Sequence, residues 1–160
     1  MSANRLIYLP LGGAGEIGMN AYVYGYGPKG KERLILVDLG VAFPDMDTSP
    51  GVDLILPDIS WLHDKLDRLE AIFITHAHED HIGALAPLWP QLEKKVYCRR
   101  FTATIGRLKF EEAGLPVDQM VVPDLVVKGA GLHRTLTHFA SATSMASAGG
   151  PSTTMRPCST

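Results

Sequence analysis

The sequence predicts a chain of the α/β class, and three observations carry that expectation. Short apolar runs of strand character recur along the chain up to about residue 129, helix-spaced stretches separate the later ones, and Ala71-Ile72-Phe73-Ile74 passes through a polar turn into Ile82-Gly83-Ala84-Leu85, which reads as a helix start. With 160 residues, 46% of them hydrophobic and 20% charged, the chain is long enough for one domain with a core and is not disordered throughout.

The polar turn is Thr75-His76-Ala77-His78-Glu79-Asp80-His81, and it holds three of the chain's six His. A solvated polar loop is the plain alternative. The density of imidazole and carboxylate in one strand-to-helix turn favours a metal site, because these are the usual protein ligands of zinc and a turn lets alternate residues converge where a strand would splay them. His76 and His78 can share one ion, and Asp80 and His81 can point to a second; Asp80 is also the candidate catalytic residue. Two metals roughly 3.5–4 Å apart can clamp a phosphate and generate a bound hydroxide, which suits phosphodiester hydrolysis. Glu79 lies between ligand positions, faces away and is given no role.

Taken in order, residues 6–11 read as a first strand, followed by Gly12-Gly13-Ala14-Gly15-Glu16-Ile17-Gly18. Gly13, Gly15 and Gly18 match G-x-G-x-x-G, and Asp38 lies where a dinucleotide-binding fingerprint would place its acidic residue. That reading needs a helix directly after the glycines. Residues 19–27 instead alternate aromatic and β-branched side chains, so the glycines are expected to form a turn between strands. Residues 33–38 form another strand ending in Asp38, which can form a turn or orient a metal-bound His; spacing alone favours the turn. Residues 43–51 are an acidic loop rich in breakers, more simply solvated than cation-binding. After Leu54-Ile55-Leu56-Pro57, either Asp58 or Ser60 can cap a helix carrying Ile59, Leu62, Leu66 and Leu69 on one stripe, with His63 isolated and exposed. Beyond the His-rich turn, Pro87 and Pro90 make the helix short or bent. Val96-Tyr97-Cys98 reads as a strand, residues 101–113 as a helix closed by Gly114 and Pro116, and Met120-Val121-Val122 and Leu125-Val126-Val127 as strands. Residues 140–160 are small and polar, with almost no large apolar side chains, and are expected to be a poorly ordered tail.

A formal net charge of −2 provides no basic field, so affinity for a nucleic acid must come from a local patch, from metals or from sequence elsewhere. Cys98 and Cys158 are too few and too far apart for a disulfide framework or a cysteine zinc site, which fits a reducing cytoplasm. No signal-peptide core and no long apolar span are visible, so a soluble, cytoplasmic protein with no membrane partner is expected.

The residues just quoted carry a resemblance. The H-x-H-x-D-H signature at positions 76–81 resembles that of the metallo-β-lactamase superfamily. Gly12-Gly13-Ala14-Gly15-Glu16-Ile17-Gly18-Met19-Asn20, Val37-Asp38-Leu39-Gly40-Val41-Ala42-Phe43-Pro44 and Leu56-Pro57-Asp58-Ile59 narrow the match to the N-terminal part of the bacterial ribonuclease J family, over roughly residues 6–128. The resemblance implies an αββα sandwich of two mixed sheets between helices, here its N-terminal portion and incomplete at the C-terminus. It implies two zinc ions, with manganese also accepted, held by His76 and His78 and by Asp80 and His81, and a supporting role for Asp38. The implied activity is endonucleolytic and 5′-to-3′ exonucleolytic hydrolysis of RNA by a metal-bound hydroxide, in RNA maturation and decay, with a homo-oligomer only in the full-length protein.

The family pattern also breaks here. Members add a later His followed by Ser, a bridging Asp, and a last His after an inserted β-CASP domain. His138 is the nearest match for the later His, but Phe139 follows it, Thr143-Ser144-Met145-Ala146 resembles the continuation without its His, and no acidic residue follows Asp124. A partial domain over residues 1–139, a tail over 140–160, an incomplete second metal site and weak or absent activity are therefore expected. Two other functions stay open: a thioester or lactone hydrolase of the same superfamily, and a non-catalytic metal-binding fragment.

Overall fold

The computed structural model describes residues 3–44 and 51–123. Six strands form one mixed sheet in sequence order: β1 (Asn4–Gly12), β2 (Ala21–Pro28), β3 (Arg33–Val37), β4 (Leu69–Phe73), β5 (Val96–Tyr97) and β6 (Met120–Val121). The first three are joined antiparallel and the last four run parallel. This follows from the connections: the β1–β2 and β2–β3 links are short glycine-rich turns, whereas each parallel step needs a crossover long enough to carry helix. Those crossovers hold α1 (Ser60–His63), then α2 (Glu79–Ile82) and α3 (Leu85–Leu88), then α4 (Arg100–Glu112).

Period-two alternation sorts the two sheet faces. Val23, Leu34, Leu36, Ile72 and Val96 join Leu62, Ile82, Leu85, Leu88 and Phe110 of the helices in the main core. Val37, Ala71 and Phe73 point the other way, with Tyr24, Ile35 and Tyr97 packed against them, and among the described residues no helical side chain joins that second cluster. The described residues thus supply one sheet and one helical layer of the expected sandwich.

Two elements depart from expectation. The stripe at 59, 62, 66 and 69 does not make one helix: α1 ends at His63, tight turns follow, and Leu69 opens β4. The carbonyl of Arg68 accepts from Leu34 N at 2.8 Å, so the sheet captures the chain before helical spacing can continue. Neither Asp58 nor Ser60 is the N-cap: Ile59 holds that position without a side-chain cap bond, and Asp58 only accepts from Ser60 N at 2.8 Å. Past the His-rich turn the helix is broken as expected, but the break falls at Gly83 and Ala84, ahead of both prolines. The helix expected over 101–113 is α4, ended by Gly114 at φ 68°. Strand β2 follows the glycine turn directly, which removes the helix a dinucleotide site would need. No described helix is long and apolar enough to cross a membrane. The expected strand at 125–127, His138 and the tail over 140–160 lie outside the described residues.

Candidate metal centre

Parallel pairing of β3 with β4 sets Val37 against Phe73, so the chain leaves both strands at the same edge, and Asp38 N donates to Phe73 O at 2.7 Å. The carboxyl ends of adjacent parallel strands are where open α/β sheets place ligands. Three loops meet there. Leu39 N donates to His81 O at 2.9 Å, Val41 N to Glu79 O at 3.0 Å, Gly40 N to Asn20 O at 3.0 Å and Asn20 N to Asp80 O at 3.0 Å. Three of the four stretches that carry the resemblance are thus laced together backbone to backbone. Gly40 lies so close that an added Cβ would run into the Asp80 carbonyl. Met19 at φ 51° and Asp38 at φ 62° occupy left-handed conformations unusual outside glycine, and such strain gathers where surrounding structure dictates the backbone.

Asp38 is 3% exposed, and the groups around it set the histidines. Its Oδ1 accepts from Thr75 N at 2.8 Å, and Thr75 Oγ1 lies 2.9 Å from its Oδ2. A carboxylate only accepts, so the Thr75 hydroxyl gives its proton to Asp38 and then accepts from His76 Nδ1, 2.9 Å away. His81 Nδ1 lies 2.8 Å from Asp38 Oδ2 and donates in the same way. In the neutral imidazoles one buried carboxylate therefore fixes both tautomers and leaves both Nε2 atoms as acceptors, the arrangement a metal-ligating imidazole needs.

Burial, with the nearby imidazoles of His81 and His78, holds His76 below the ordinary histidine range, against the opposing pull of Asp38 and Asp80. For His81, burial disfavours the charged form, but the hydrogen bond and charge of Asp38 and the charge of Asp80 outweigh it and raise the group.

The four predicted ligands meet in this turn. The His76 ring lies 4.0 Å from the His81 ring and 4.7 Å from the His78 ring, centre to centre. His81 Nε2 is 3.4 Å from Asp80 Oδ2. Two donors each about 2.0–2.2 Å from one tetrahedral zinc lie roughly 3.4 Å apart, so this pair fits one ion in chemistry and spacing. Among the described residues, however, no three His, Cys, Asp or Glu side chains converge as a complete ligand set. Glu79 turns away, as expected, and pairs with Lys109 of α4 at 2.7 Å. His63 is exposed and bonds Gln91 at 3.1 Å. Cys98 is buried and its thiol is pushed up to about 11 by that burial, which suits packing rather than ligation.

Two residues with no assigned role in the sequence reading belong to the site. Thr75 relays Asp38 to His76, and Asn20 Nδ2 lies 3.2 Å from Asp80 Oδ2 and 3.3 Å from His81 Nε2. The available signal was position: one immediately precedes the first ligand, the other ends the glycine turn. Beside the ligands an open cavity of about 670 Å³ is lined by Ile17, Phe43, Ala77, His78, Glu79 and Asp80 among others.

Comparison with known proteins agrees with this geometry. Ribonuclease J of Sinorhizobium meliloti is 58% identical over 109 residues, covering 68% of this chain and 19% of that protein. Ribonuclease J of Mycolicibacterium smegmatis is 48% identical over 105 residues (64% and 18%), and ribonuclease J 1 of Streptococcus pyogenes 39% over 115 residues (72% and 20%). The chain spans about a fifth of the length of these curated relatives, from 18% to 20%. A family model described as the metallo-beta-lactamase superfamily matches residues 14–140, taking in the glycine turn from Ala14 onward, Asp38 and every residue of the His-rich turn. With its helix-backed mixed sheet and its histidine turn set on Asp38, the chain belongs to the metallo-β-lactamase superfamily.

Proposed function

We propose that this chain is the metal-binding N-terminal part of an RNA hydrolase that uses two zinc ions, with manganese as a substitute, and that cleaves phosphodiesters both internally and from the 5′ end. The observation that carries the metal reading is His81: Asp38 holds its Nδ1 at 2.8 Å, and its Nε2 faces Asp80 at 3.4 Å. His76 and His78 would hold the first ion, and Asp80 and His81 the second. Bound divalent ions supply neutralising charge for a phosphate and a nucleophile at neutral pH.

The chain's own residues do the rest. Asp38 keeps both histidine protons on the far side of the rings, directly for His81 and through Thr75 for His76. Asp80, with its side chain 37% exposed, is the catalytic candidate because its carboxylate borders the cavity where substrate would sit. Ile17 at 97% and Phe43 at 66% exposure offer an apolar shelf along the same cavity, whose volume of about 670 Å³ suits a small polar-headed ligand such as a nucleotide unit. Similarity to ribonuclease J supports RNA as the substrate.

The test is elemental analysis of chain purified without chelator, alongside parallel assays on 5′-monophosphorylated single-stranded RNA and a small thioester. At least one metal per chain, falling in His78→Ala, with RNA bound or cut and the thioester untouched, is the expected result. Thioester turnover with RNA intact overturns the nuclease reading, and a native chain that retains no ion overturns the metal reading.

A further inference from the structure

Asn20 ends the glycine turn and is pinned before β2 begins. Its N donates to Asp80 O and its O accepts from Gly40 N, both at 3.0 Å, so its Cα cannot shift without unlacing both neighbouring loops. From that fixed point the side-chain amide meets three atoms of the ligand turn: Asp80 O at 3.0 Å, Asp80 Oδ2 at 3.2 Å and His81 Nε2 at 3.3 Å. The first two are acceptors, and the last is one in the neutral imidazole, whose proton Asp38 takes on the other ring nitrogen. The group facing them must be the NH2 end, since a carbonyl there would confront three lone pairs.

A second contact fits the same orientation. The Tyr22 hydroxyl lies 2.9 Å from Asn20 Oδ1 and donates to it, with Gly13 O at 3.1 Å as the alternative acceptor. Space for this contact depends on Gly13, where a Cβ would fall 2.6 Å from the Tyr22 hydroxyl and 2.7 Å from Asn20 Oδ1.

We propose that Asn20 is the positioning residue of the Asp80–His81 ligand pair and that Tyr22 aims its amide; this rests on the metal-binding reading above. Two amide protons serve three acceptors. One stays on the Asp80 carbonyl and fixes the turn, while the other is shared between Asp80 Oδ2 and His81 Nε2 and keeps them side by side. Asp80 and His81 would hold an ion with those two atoms, while the carbonyl bond keeps the turn in place. The amide thus preassembles half of the site without ligating the metal.

The experiment is titration of the metal-stripped 160-residue chain with Co2+, followed by visible absorption. Groups that orient metal ligands typically contribute about 10- to 100-fold in affinity. Asn20→Ala is expected to weaken cobalt binding by that order and to change the ligand-field band. Tyr22→Phe keeps the aromatic ring, which stacks on Tyr8 at 5.9 Å, and is expected to weaken binding in the same direction by less, with a native-like thermal melt. Glu32→Gln, at the opposite end of β3, serves as a fold control with unchanged affinity. Equal affinity and an unchanged band in Asn20→Ala overturn this inference alone. A native chain that takes up no cobalt overturns it together with the metal reading.

Discussion

The two ends of β3 each carry a buried carboxylate, and they are used in opposite ways. Glu32, just before the strand, is met by Arg5 at 2.6 Å, Arg68 at 3.0 Å and the N–H of Gly30 at 3.0 Å. Two permanent cations and a backbone donor saturate it, and the arrangement ties the start of β3 to β1 and to the entry of β4. Asp38, just after the strand, meets no permanent cation among the described residues. Its partners are the Thr75 N–H and hydroxyl and the His81 imidazole, and the far side of that imidazole faces Asp80 and Asn20. A buried carboxylate that serves the fold is closed off by fixed charge, whereas one that serves a site is wired to groups whose remaining atoms are still available.

The largest way to break the working end is steric. Gly40→Ala puts a Cβ into the Asp80 carbonyl, and backbone on that side cannot give way without opening the lacing between the loops. A loss of roughly 3–5 kcal/mol is expected, at the upper end for single substitutions, with the unfolding midpoint in urea as the measurement. A native-like midpoint would mean the three loops are less tightly joined than their hydrogen bonds imply.

Next comes the chemistry of Asp38. Asp38→Asn is nearly isosteric, but its amide can present a donor to His81 Nδ1, which would move the imidazole proton to the ligand side. Metal affinity is expected to fall by about 10- to 100-fold, read by isothermal titration with zinc. Glu32→Gln should leave that affinity unaltered, and equal losses in the two variants would erase the distinction between the ends of the strand.

Glu32 in turn governs acid stability. Its own backbone N–H, the Arg5 guanidinium and the Gly30 N–H hold its carboxyl at about 2, below the ordinary 4.5, despite the opposing cost of burial. A depressed carboxyl contributes stability that is fully present above the unfolded value and is lost as pH falls towards the folded one. The native chain should therefore lose stability between about pH 4.5 and 2 in a step that Glu32→Gln lacks. Urea midpoints across that range, compared between the two proteins, decide it; parallel curves would assign the acid limb to other carboxylates.

These two carboxylates also show where sequence reading succeeds and stops. The strands around them were legible because alternation and short turns are local signals, and the His-rich turn was legible because its residues are contiguous. Spacing favoured a turn for Asp38 over orienting a metal-bound His, and its φ of 62° suits the turn, yet its contact with His81 bridges 43 residues that no spacing rule connects. Asn20 reaches Asp80 across 60 positions, and Thr75 reaches Asp38 across 37. Leu69 went astray for the converse reason: its helical spacing from Leu62 and Leu66 is real, but the sheet bond from Leu34 N to Arg68 O at 2.8 Å decides the element.

The smallest expected effect on the fold is at the cavity rim. Phe43 is 66% exposed and Ile17 97% exposed, although both are large and apolar, and both border the cavity beside His78 and Asp80. Folding gains little from side chains left in water, so Phe43→Ala should change stability by no more than about 0.5 kcal/mol. If the rim receives an RNA base, the same substitution removes a stacking surface of the kind worth about 1–3 kcal/mol per base. Fluorescence anisotropy of a short labelled single-stranded RNA, with Phe43→Trp as the conservative control, separates the two quantities. Weaker binding in Phe43→Ala that Phe43→Trp restores would place the base on this rim, at the Asp38 end of β3. Unchanged binding in both would leave the exposed ring without a part in substrate recognition.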